Sequence, residues 1–156
     1  STLFPYTTLF RSVAELGGRI RQLQDDNEQL TEQVSQCEDE GLKAQIAQNE
    51  EQITSLMKQL QLVAKVQIFD QSYSNLKIML KNSRSQAKSK QSEGFLESLQ
   101  VSLGKALEEV TFRYDQVKEI EVPTPETRQR MDTATALVND LIWSSGAGSI
   151  RRYGRR

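Results

Sequence analysis

Residues 13–37 read VAELGGRIRQLQDDNEQLTEQVSQC. Within them Val13, Leu16, Ile20, Leu23, Asn27, Leu30, Val34 and Cys37 follow one another in steps of 3, 4, 3, 4, 3, 4 and 3. That spacing places all eight on one side of an α-helix as an unbroken a/d seam, the pattern of a coiled coil. With Val13 at position a, the d positions are Leu16, Leu23, Leu30 and Cys37, and Asn27 takes the third a position. A lone Asn at a lowers stability but fixes register and strand number, because its amide needs a partner across the seam. These eight residues form the expected interaction seam. Cys37 reads as a small apolar member of it; in a parallel dimer it would face its copy, where an interchain disulfide could form.

The seam resumes out of phase after Gly41. Leu42, Ile46, Asn49, Ile53, Leu56, Leu60 and Val63 step by 4, 3, 4, 3, 4 and 3. Either the helix continues through a phase slip, or it reverses at 38–41 into an antiparallel hairpin, the preferred reading. Gly41 suits the left-handed position that ends a helix. The acids Glu38, Asp39 and Glu40 oppose a helix C-terminus but favour the start of the next helix. Val66, Phe69, Tyr73, Leu76 and Leu80 carry the stripe on.

Further along, apolar periodicity lapses over 81–94 (KNSRSQAKSKQSEG), which reads as a basic polar linker. Leu96, Leu99, Leu103, Ala106, Val110, Val117 and Ile120 then mark another helix, with Arg113 where an apolar residue is due. Leu107 and Tyr114 broaden its stripe to the width of a bundle helix. Thr124-Pro125-Glu126 supplies an N-cap, a first-turn proline and a first-turn acid for a last helix over about 125–143, with Met131, Ala134, Val138 and Leu141 in its stripe. The 110 residues from Val13 to Val122 contain no proline, and no β-branched alternation is sustained. The expected fold is therefore all-α: an elongated coiled coil or helical hairpin bundle of about four helices. Residues 13–80 would form a coiled-coil helix pair or long broken helix, 81–94 the linker and 95–143 a helical hairpin.

Both ends read differently. Residues 2–12 (TLFPYTTLFRS) resemble one translated reading frame of a widely used DNA-sequencing adapter, which implies an artefact leader over 1–12 and a fragment of a longer protein. The tail 144–156 (SSGAGSIRRYGRR) has the Gly/Ser-rich, arginine-rich composition of a disordered basic segment. Trp143 could anchor a partner or cap the last helix.

Composition excludes several chemistries. The 156 residues contain no histidine and one cysteine, so a Ser-His-Asp triad, a His-ligated metal and a Cys-clustered zinc site cannot form from this chain. Adjacent carboxylates such as Glu50-Glu51 and Glu108-Glu109 point about 100° apart on a helix, which suits solvated charges and not an acid/base pair. No enzymatic activity, cofactor, metal or small-molecule substrate is expected. The net charge of −1 hides blocks of −7 over 13–57, +6 over 58–90 and −5 over 91–143, with +4 in the tail. The basic block lies against acidic neighbours in the preferred reading; in the sharper one Lys81, Arg84, Lys88 and Lys90 form a patch for nucleic acid or anionic membrane. No signal peptide or transmembrane run is visible, and a cytoplasmic setting is the expectation. The expected function is a structural or scaffold coiled-coil segment that mediates helix–helix self-association or binds another coiled-coil protein. The alternative is peripheral binding to anionic membrane or nucleic acid through 81–90 and the arginine tail.

Overall fold

A computed structural model describes residues 12–89 and 93–144, with side chains described for 12–86 and 94–142. The described chain is all-α: α1 (Val13–Gln36), α2 (Glu40–Ser89), α3 (Glu93–Ile120) and α4 (Pro125–Ser144), with no strand among the described residues. It divides into two compact units whose boundary falls inside α2, between Ala64 and Lys65.

In the first unit, α1 starts where Ser12 accepts the Glu15 N–H on its hydroxyl at 3.1 Å and the Leu16 N–H on its carbonyl at 3.0 Å. Ser12 is thus the N-cap of α1, although it falls inside the stretch that resembles an adapter. The helix stops at Gln36 because Cys37 turns to extended backbone (φ −149°, ψ 111°). Asp39 then caps α2, its carboxylate accepting the Gly41 N–H at 2.8 Å and its carbonyl the Lys43 N–H at 3.1 Å. Gly41 therefore belongs to the first turn of α2 and does not end α1, correcting the expectation that it supplies a left-handed cap. The break lies at 37–39, and the acids there serve the helix that follows.

The Asn49 amide donates to the Asn27 side-chain oxygen at 2.9 Å, and the Asn27 amide donates to the Ile46 carbonyl at 3.3 Å. A straight helix through both asparagines would hold them about 33 Å apart. The chain therefore doubles back between Gln36 and Glu40, with Asn27 and Asn49 each nine positions from the turn.

The second unit takes its core from three helices. From α2 come Val66, Phe69, Leu76 and Leu80; from α3 Leu103, Leu107, Val110, Tyr114 and Val117; from α4 Met131, Ala134, Val138 and Ile142, all buried. Phe69, fully enclosed, meets the Tyr114 ring at 5.8 Å and 53°, the tilted geometry aromatic pairs favour. Asp70 accepts from Arg130 at 2.5 Å, joining α2 to α4, and α3 packs on α4. Thr124 caps α4 by accepting the Thr127 N–H at 3.2 Å, with Pro125 in the first helical position.

One expectation changes here. The linker over 81–94 is helical through Ser89, because Leu80 and Ser83 are buried and hold the polar stretch in register with the core. Residues 95–143 hold α3 and α4, which pack on each other as expected, and the later part of α2 adds to their core. Lys90 and the tail 145–156 lie outside the described residues.

Candidate interaction surfaces

The predicted seam divides along its length. Leu16, Ile20 and Leu23 are buried, whereas Asn27, Leu30 and Val34 are half-buried. Val13 at the first turn is 42% exposed, and Cys37 is an exposed residue beyond the helix, not a d-position side chain. On α2, Leu42, Ile46, Asn49, Ile53, Leu56 and Leu60 are half-buried as well, with Val63 buried. Asn27 does meet a partner amide, as an a-position Asn should, but that partner is Asn49 of the same chain. At the turn Lys43 lies 3.7 Å from Glu38 and 3.5 Å from Glu40. These pairs are well exposed and contribute little.

Of the predicted basic patch, Lys81 and Arg84 are exposed on α2. Lys88 is in α2 with its side chain outside the described residues, as is the whole of Lys90. Lys81 and Arg84 join Lys77, Leu80, Ser85 and Leu137 around an open cleft of about 400 Å³ between α2 and α4. Lys77, missed in the sequence reading, was legible in principle: 77, 81 and 84 step by 4 and 3 along one face. Leu137 was not, because only the tertiary fold brings α4 to that face. Lys77 also sits 5.4 Å from the Tyr73 ring centroid, a cation–π distance.

A second, larger surface lies between α2 and α3. Two clefts of about 260 and 520 Å³ run end to end, sharing Asn75 and Met79. The charged side chains lining them are Glu109 and Arg113, which bond each other at 2.7 Å. Their linings are otherwise amide, hydroxyl and apolar.

The paired carboxylates stay on outer faces, Glu50, Glu51, Glu108 and Glu109 all being exposed. Among the described residues no group of three or more His, Cys, Asp or Glu is placed to hold a metal ion. No described helix is long and apolar enough to cross a membrane. Every buried side-chain nitrogen or oxygen among them has a hydrogen-bond partner. What fold and surfaces define together is an all-α protein with two helical faces, one basic and one whose charged side chains, Glu109 and Arg113, pair with each other. Compared with known proteins, the chain matches no protein family, no curated protein and no solved structure.

Proposed function

We propose that the chain is a non-enzymatic scaffold segment. In this reading α1 and residues 40–64 of α2 pair as an antiparallel coiled-coil hairpin, and outward helical faces associate with another copy or another helical protein. One observation carries it: the Asn27–Asn49 amide pair sits within two runs of 4-3 spaced apolar residues. Matched polar groups in a seam discriminate against slipped registers, since a shift of one position leaves both amides without partners. Of the two pairings open from sequence, within the chain or between copies, we assign the first to the α1 seam.

The test replaces Asn27 and Asn49 by cysteine in a Cys37→Ser background. Oxidation is expected to yield a disulfide within one chain, with the association state unchanged by locking the pair. Cross-links between chains, or none, would overturn the hairpin. Loss of association on locking would return the intermolecular surface to the α1 seam.

A second reading is supported by the α2/α4 cleft, where Lys77, Lys81 and Arg84 surround an apolar floor of Leu80 and Leu137. It makes this face a site for an anionic membrane surface, which accepts cations beside apolar side chains. Sedimentation with anionic vesicles at low salt tests it: binding that Lys81→Glu/Arg84→Glu removes supports it, and unbound protein contradicts it.

A further inference from the structure

Several cations of the second unit are held by acids of the same unit: Arg113 by Glu109, Lys118 by Asp115 and Arg130 by Asp70. The three on the α2/α4 cleft are not. Lys77, Lys81 and Arg84 pair with no described carboxylate, and no acid among the described residues lines the cleft. All three are exposed, and their steps of 4 and 3 set them on one face of α2 over about 10 Å. Lys77 is further steadied over the Tyr73 ring at one end of the row.

Such a row selects the charge of what it binds. A phosphodiester or carboxylate headgroup brings a single negative charge, so several separate lipids would have to crowd against it. A phosphomonoester brings about −1.5 to −2 near neutral pH, and a headgroup with two of them supplies roughly −3 to −4 in one molecule. Arg84 can fork onto two phosphate oxygens, while the lysines act as point charges. The Ser85 hydroxyl, also on the lining, adds a donor. The cleft, about 400 Å³, falls within the range of small-ligand sites, and a concave wall focuses the field of its charges. Leu80 and Leu137 make the floor apolar. A free polyphosphate gains nothing from that floor, whereas the apolar part of a lipid does.

We infer that this cleft takes the headgroup of a membrane lipid carrying two or more phosphomonoesters, in preference to monovalent anionic lipids. The site rests on the membrane reading of the same face and adds the class of lipid.

Sedimentation of the full chain with two kinds of vesicle tests it. One is phosphatidylcholine carrying phosphatidylserine, the other phosphatidylcholine carrying phosphatidylinositol bisphosphate, the two matched in surface charge. One charge-assisted bond made only to the clustered phosphates contributes about tenfold in affinity, so the bisphosphate vesicle is expected to bind about tenfold more tightly. Arg84→Lys keeps the charge but loses the fork and should narrow that ratio, with circular dichroism checking that helix content is unchanged. Equal binding to both vesicles overturns the lipid assignment and leaves the membrane reading standing; binding to neither removes both. A preference unchanged in Arg84→Lys, or in Lys81→Glu/Arg84→Glu, places the headgroup elsewhere and overturns the site. Soluble inositol trisphosphate, the free headgroup, overturns the lipid source if it binds as tightly as the vesicle.

Discussion

The Asn27–Asn49 pair can be weighed by a double-mutant cycle. Asn27 accepts from Asn49 at 2.9 Å and donates to the Ile46 carbonyl at 3.3 Å. Both side chains are half-buried, so the net value of each bond lies at the modest end: about 1 kcal/mol for the shorter and about 0.5 kcal/mol for the longer. Leucine at either site regains apolar burial, about 1 kcal/mol for a half-enclosed side chain. Asn27→Leu then costs about 0.5 kcal/mol, because it loses both bonds. Asn49→Leu is near neutral, because it loses one. The double variant loses the amide–amide bond only once while gaining two leucines, and ends about 0.5 kcal/mol above wild type. The predicted coupling energy is thus about 1 kcal/mol, within the range for residues in contact. Urea titration of the four proteins measures it, with amide-exchange protection over residues 27–49 assigning the transition to the first unit. A coupling energy indistinguishable from zero would refute the pairing.

Other changes test the packing and caps of the same helices. Phe69→Ala removes a fully enclosed ring from between α2 and α3, and a loss of about 3–5 kcal/mol is expected by chemical denaturation of the second unit. Gly18 lies inside α1 with open space where a Cβ would stand; Gly18→Ala should stabilise the first unit by about 1 kcal/mol in the same titration. Thr124→Ala deletes the acceptor at the head of α4, costing about 1 kcal/mol and lowering the melting temperature. Asp70→Asn weakens an ion pair whose side chains are 42% and 40% exposed; a cost below about 1 kcal/mol is expected, shrinking in 1 M salt.

Helical class and part of each apolar stripe were legible because burial in a long helix leaves a 4-3 imprint. Leu16, Ile20 and Leu23, like Met131, Ala134 and Val138, are buried where their spacing placed them. Tyr114 and Leu107 fill the α3 stripe where Arg113 interrupts it, and Arg113 turns outward to Glu109. The turn after α1 was less legible. Gly41 attracted the break by residue type, but the Asp39 carboxylate caps α2 two positions earlier, and a cap depends on geometry that composition does not carry. Residues 81–89 looked like a linker because their side chains are polar. Yet α2 runs through them, anchored by Leu80 and the buried Ser83, so tertiary packing outweighs local pattern. The α2/α3 groove was invisible for a related reason: its Ser, Asn and Gln residues read as solvent-facing until two helices set them side by side.

The central claim is that α1 turns back onto α2, and pulsed electron–electron resonance between spin labels at Gln24 and Gln52, in a Cys37→Ser background, tests it most directly. Both residues are exposed, and each lies three positions from its asparagine on the side away from the 37–39 break. The doubled-back chain predicts a single distance near roughly 20 Å, set by a helix separation of about 10 Å and the reach of the labels. A distance near 42 Å, the length of about 28 residues of continuous helix, would contradict it.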